Sequence, residues 1–148
     1  MAFIFIFLLS FWAEASELRP FVSDGCTMAP DGTRREPEKW KECCQAHDLR
    51  LWGGGTKTER HEADKKLRSC MREKAGPRLA FIFWLGVKIG SHSPVKLPEK
   101  KWGNAWYKNS GYRTLNQDEI NQLILEVQYL DLDPALKNDY INELNARN

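Results

Sequence analysis

The sequence predicts a mainly α-helical domain held by disulfides, and three observations carry that expectation. Apolar positions recur three and four residues apart, as at Ile120, Leu123, Ile124 and Val127, and no stretch shows the two-residue alternation of a strand. Pro, Gly, Thr and Asp stand where helices would start and stop. The four cysteines, Cys26, Cys43, Cys44 and Cys70, are an even number in the first half of the chain, behind an apolar leader.

The 148 residues give room for one domain and not comfortably for two. At 42% hydrophobic and 28% charged, the composition excludes both a disordered chain and a multi-span membrane protein. A net charge of +2, from 22 basic and 20 acidic residues, is too balanced to argue for nucleic acid, so no nucleic-acid partner is expected.

Residues 1–12 form a nearly unbroken apolar run, followed by Ala13-Glu14-Ala15 and then a polar chain. This reads as the apolar region and A-x-A cleavage site of a signal peptide over 1–15, although no Lys or Arg precedes the run. The run is too short to span about 30 Å of hydrocarbon; the competing reading is a buried N-terminal helix. Export predicts a secreted or extracytoplasmic protein. In that oxidising setting the cysteines read as disulfides rather than as a zinc site. Residues 16–148 then form a single domain, with a core over 20–90 and a C-terminal helical extension over 91–148.

An irregular entry loop covers 17–31, with turn signals at Ser23-Asp24-Gly25 and Pro30-Asp31-Gly32. The first helix is predicted over 37–51, because Pro37 suits a first turn and Glu36 and Glu38 suit the N-terminal dipole. Gly53-Gly54-Gly55 ends it. The second helix is predicted over 56–74, opened by a Thr56-x-x-Glu59 capping box and broken by Gly76-Pro77. Residues 79–89 are the most apolar stretch after the leader. They read as a core helix closing over the His47 face, or alternatively as a segment lying on a membrane, since eleven residues cannot span one. A loop with Trp102, Trp106, Tyr107 and Tyr112 follows, its aromatics expected to pack rather than to anchor at an interface. Helices over 116–130 and from Asp133-Pro134 onward complete the chain. The last of these would turn Leu136, Tyr140, Ile141 and Leu144 inward.

The chemistry concentrates in Cys43-Cys44-Gln45-Ala46-His47-Asp48. On a helix, Cys43 shares a face with His47, and Cys44 shares the neighbouring face with Asp48, each pair being four apart. Each cysteine would therefore anchor another segment over one functional side chain. The economical pairing is Cys26–Cys44, holding the Asp24 loop over Asp48, and Cys43–Cys70, locking the second helix antiparallel to the first. Asp64 on the second helix can then face His47. His61 and His92 have no evident partner and read as surface residues. Arg34-Arg35, Lys65-Lys66 and Lys100-Lys101 read as solvated charge, with anionic headgroups as the alternative partner.

The run CCxxHD, the upstream Asp24-Gly25-Cys26 loop and an Asp six residues before Cys70 resemble the secreted phospholipase A2 superfamily, most closely its small prokaryotic and fungal members. The resemblance covers about residues 23–71. It implies a disulfide-linked antiparallel helix pair with the same cysteine pairing, here extended by C-terminal helices. It implies calcium-dependent hydrolysis of the sn-2 ester of glycerophospholipids at a membrane or micelle surface. By the same resemblance His47 is the general base and Asp64 the carboxylate that orients it. Asp48, Asp24 and the Gly25 carbonyl would ligate Ca2+, and Thr27 would offer its N–H to the oxyanion. The family's bracing tyrosines, three or four residues after the Asp, are replaced by Leu49-Arg50-Leu51-Trp52, with Trp52 the candidate substitute. The glycine-rich calcium loop of the animal enzymes is absent.

Those residue types suit ester hydrolysis. Imidazole titrates near neutrality, a carboxylate on its second nitrogen fixes the tautomer, and calcium takes oxygen ligands and polarises a carbonyl. No G-x-S-x-G is present, so no serine nucleophile is expected. Two other readings remain open: a catalytically silent relative that binds lipid or protein, and a structural exported domain in which His47 is merely buried. Liposome binding with loss of calcium binding would mark the former, and absence of both properties the latter.

Overall fold

The computed structural model describes residues 18–27, 29–91 and 101–147, and among these the chain forms five α-helices. The expected signal peptide, Met28, His92, Lys100 and the first part of the Trp loop lie outside the described residues. Among those described there is no strand, only isolated bridges at Leu18–Trp106 and Gly55–Tyr112. No described helix is long and apolar enough to cross a membrane.

Helix α1 (Lys41–Gly53) begins four residues later than the sequence suggests. The reason lies in residues 30–40. A helix from Pro37 would send the Trp40 N–H to Glu36, but it donates instead to the Asp31 carbonyl at 2.9 Å. The Trp40 indole donates to the Pro30 carbonyl, and the buried ring fixes that turn. Residues 37–40 are thereby held in turns, and helical spacing starts at Lys41.

Helix α2 (Lys57–Ala75) has the expected start, with both halves of the Thr56–Glu59 capping box formed. Gly76, at φ +87°, ends it, and α3 (Pro77–Ser91) leaves at once with Pro in its first turn. Asn116 and Glu119 build a second capping box at α4 (Gln117–Tyr129). Asp133 accepts the Ala135 and Leu136 N–H groups at the start of α5 (Pro134–Asn145).

Helix α1 lies between two cores, which is why residues on nearly every side of it are buried. Leu49 and Trp52 face one core with Trp106, Ile120, Leu123, Val127, Tyr140 and Leu144. Cys43 and Cys44 face the other with Trp40, Leu67, Met71 and Ala80. The C-terminal helices therefore complete the packing of α1 rather than trailing from it. Arg50 fastens them: its buried guanidinium bonds Asp139 at 2.6 Å and Glu143 at 3.0 Å on α5. Lys66 of α2 reaches the same two carboxylates. Of the basic pairs expected to be solvated, Lys66 is thus engaged.

The triple glycine has a packing reason. Trp102 donates its indole N–H to the Gly55 carbonyl and Trp106 to the Gly53 carbonyl, at 2.8 and 2.9 Å. The loop they carry lies directly on Gly54, which has φ +77°. A Cβ there would stand 2.5 Å from the Gly103 Cα, which is backbone and cannot swing away. Gly54→Ala is expected to cost about 2–3 kcal/mol, from left-handed strain plus that clash. Urea denaturation measures it; a loss under about 0.5 kcal/mol would show that the loop shifts freely.

Candidate active site

Disulfides join Cys26 to Cys44 and Cys43 to Cys70, the two pairs that the face argument selects. Along α1 the order is Cys43 then His47, and their α2 partners run Cys70 then Asp64. The two helices are therefore antiparallel, and the disulfide sits one turn from the His–Asp contact. His47 Nε2 lies 2.9 Å from Asp64 Oδ1, with both side chains buried. With Asp64 accepting from Nε2–H, the imidazole lone pair is left on Nδ1.

Asp64 has further partners that neither the motif nor the resemblance indicates. Arg60 Nε donates to Oδ1 at 3.2 Å from one turn earlier on α2. Lys88 Nζ on α3 lies 3.4 Å from Oδ2. Burial pushes the Asp64 carboxyl up, but the His47 hydrogen bond and the charges of Arg60 and Lys88 outweigh it and hold it below its ordinary value. Trp52 does not brace Asp64, contrary to the substitution suggested above. Its indole donates to the Arg19 carbonyl at 2.7 Å, because Trp52 faces the core on the opposite side of α1. Two cations, Arg60 and Lys88, stand at Asp64 in place of the expected Trp52. The Arg60–Asp64 spacing of four was legible in the sequence; Lys88 arrives from a different helix. The same Lys88 is 3.4 Å from the Nδ1 of exposed His61.

The entry loop meets Asp48 through Ser23, which the sequence marks only as part of a turn. Ser23 Oγ donates to Asp48 Oδ2 at 2.6 Å and accepts the Gly25 N–H at 3.2 Å. The Cys26–Cys44 bond holds the loop at that place. Asp24 Oδ1 accepts the Thr27 hydroxyl at 2.8 Å. The Thr27 N–H donates to the Gly25 carbonyl at 3.1 Å, so the expected oxyanion donor and the expected ligand carbonyl are bonded to each other. Asp31, marked in the sequence only as a turn residue, accepts the Cys26 N–H at 2.6 Å. Gly25 sits beside it at φ +82°, a left-handed backbone that favours glycine, and a Cβ there would push on Asp31 Oδ1 from 2.4 Å.

Calcium is the ion the resemblance implies. The donors that meet here are both oxygens, the Asp48 carboxylate and the Ser23 hydroxyl. That donor set suits a hard divalent cation in kind. Among the described residues, no group of three or more His, Cys, Asp or Glu side chains is placed to hold a metal. A cation would thus rely on one helix carboxylate and loop oxygens, with Asp24 turned toward Thr27.

A shallow groove of about 310 Å³ opens beside this contact, lined by Phe21, Val22, Ser23, Gln45, Leu130 and Leu132 among others. It lies on the Asp48 side of α1, because Gln45 and Asp48 are three apart on the helix while His47 points away from Gln45. No protein-family model matches the chain, and neither a curated protein nor a solved structure matches it at a significant level.

Proposed function

We propose that the protein hydrolyses a carboxylic ester of a glycerophospholipid, at the sn-2 position by its resemblance to the secreted phospholipases A2. His47 is the general base and Asp64 the carboxylate that orients it. The observation that carries the reading is the buried 2.9 Å His47–Asp64 contact, one turn from a disulfide that locks both helices. His47 Nδ1 would take a proton from a water, whose oxygen attacks the ester carbonyl. Asp64 would hold the tautomer and stabilise the imidazolium that forms. The imidazolium would then return the proton to the departing glycerol oxygen. A calcium ion held by Asp48 and the entry-loop oxygens would supply Lewis-acid polarisation of the ester carbonyl. The two disulfides are consistent with an oxidising, extracytoplasmic setting.

The test is fatty-acid release from phospholipid vesicles by disulfide-bonded protein, with calcium and with a chelator. Calcium-dependent release that drops about 10²–10⁴-fold in His47→Gln is the expected result. Unchanged hydrolysis in that variant would remove the dyad from the mechanism. Asp48→Asn is expected to weaken calcium binding at least about tenfold by calorimetry. Unchanged affinity would exclude Asp48 as a ligand.

Two observations favour a second reading, a catalytically silent lipid-binding relative. Asp64 is shared with Arg60 and Lys88, and the Thr27 N–H is bonded to Gly25. A carboxylate already neutralised by two cations stabilises imidazolium less. Vesicle binding without release in either condition would select that reading.

A further inference from the structure

We infer that the outward face of α3 docks on an anionic lipid surface. The inference deepens the reading above, on which its purpose rests, while its argument comes from the helix itself. Helix α3 is apolar on both sides. Leu79, Ala80, Phe83 and Val87 pack onto the core that includes Leu67 and Met71. The opposite stripe carries Phe81, Ile82, Leu85 and Ile89, which are 46, 60, 40 and 64% exposed. These are four of the nine large hydrophobic side chains that stand exposed among the described residues, and they follow helical spacing along one face. A helix apolar all round calls for a second apolar cover, and contiguous exposed apolar surface marks a docking face. The 15 residues rise only about 22 Å, so α3 would lie in a bilayer interface rather than cross it.

Charge selects the occupant. Helix α3 contains no Asp or Glu. Its exposed stripe is rimmed by cations: the Arg68 guanidinium stands 5.9 Å from the Phe81 ring and 5.1 Å from Trp84. Lys88 Nζ is 5.8 Å from Trp84, and exposed Arg78 is in the first turn. Aromatic and aliphatic side chains within a cationic rim match the boundary between acyl chains and anionic headgroups. A second copy fits less well, because a two-fold pairing through this face would bring like-charged rims together. The same helix places Lys88 on Asp64, so the docked face would lie about one helix diameter, roughly 10 Å, from the dyad.

The experiment is co-sedimentation of the full disulfide-bonded chain with vesicles in a chelator, so that calcium-dependent turnover and calcium bridging are both absent. Vesicles of phosphatidylcholine with added phosphatidylserine are compared with phosphatidylcholine alone. Binding to the mixed vesicles, weakening with salt, is expected. Ile82→Asp/Ile89→Asp should lower the affinity at least about tenfold with an unchanged melting curve, since both side chains are already in solvent. Arg68→Gln/Arg78→Gln should erase the preference for anionic vesicles. Leu125→Asp, at an exposed apolar position on α4, should leave binding as it was. Absence of wild-type binding, or equal binding by the Ile82/Ile89 variant, overturns the inference. So does a wild-type dimer that the same variant makes monomeric in sedimentation velocity, which would assign the face to a second copy. Hydrolysis of a monomeric short-chain ester by a non-binding protein would overturn the docking face and leave the dyad reading standing. Binding without hydrolysis would do the reverse.

Discussion

Asp64→Ala is expected to cost about 3–5 kcal/mol of folding stability, the range for removing one partner of a buried ion pair. The carboxylate is 2% exposed and accepts from His47 and Arg60, with Lys88 at 3.4 Å. Removing it leaves the Arg60 guanidinium buried without its carboxylate and returns to the His47 ring its freedom to turn. Urea denaturation at neutral pH measures the loss. A cost below about 1 kcal/mol would show that Arg60 finds water and that the cluster is only nominally buried.

The same residue predicts a pH dependence with a definite sign. Its folded-state carboxyl lies below the ordinary value of 3.8. A group depressed on folding contributes stability above its unfolded value and loses it as pH falls toward the folded one. The stability gap between wild type and Asp64→Asn should therefore shrink as pH falls below about 4. A gap that widened below about pH 4 would contradict the assignment of Asp64 as the charged partner.

The second large effect is expected at the disulfides. Cys43–Cys70 closes 27 residues of sequence and Cys26–Cys44 closes 18. Chain-entropy scaling gives about 3–4 kcal/mol for each, slightly more for the longer loop. Set against about 5–15 kcal/mol for a whole domain, losing both would bring the fold close to unfolding. Thermal melts of Cys43→Ser/Cys70→Ser and Cys26→Ser/Cys44→Ser should each fall well below wild type. The two should separate in function. The first pair spans the helices that carry His47 and Asp64, so the proposed hydrolysis should suffer even at low temperature. The second ties the entry loop to α1, so the proposed calcium binding should weaken first. Equal losses of both properties in both variants would mean that the disulfides stabilise without positioning.

The parts of the fold legible in the sequence are those written in short spacings. The Thr56–Glu59 box, the stop at Gly76-Pro77 and the Asp133-Pro134 start each depend on neighbours within four residues, and each forms. The stripe Ile120, Leu123, Val127 is buried as its period requires. The start of α1 was not legible, because Trp40 is held by Asp31 and Pro30 across a folded-back turn rather than by its own helical neighbours.

The candidate site divides the same way. Helical spacing by itself put Cys43 with His47 and Cys44 with Asp48, and the offset from Asp64 to Cys70 brought the carboxylate to the histidine. Arg60, four residues before Asp64, could have been read from the same rule. Tertiary structure alone decided that Lys88 reaches Asp64 and that Ser23 holds Asp48. It also decided that the Trp102 and Trp106 indoles close over the triple glycine, and that Trp52 turns to the far core instead of the dyad. The physical reason is range. A helix converts sequence offsets into shared faces through fixed local geometry. Which faces then meet depends on where two separate apolar cores close around α1, and no spacing along the chain encodes that choice.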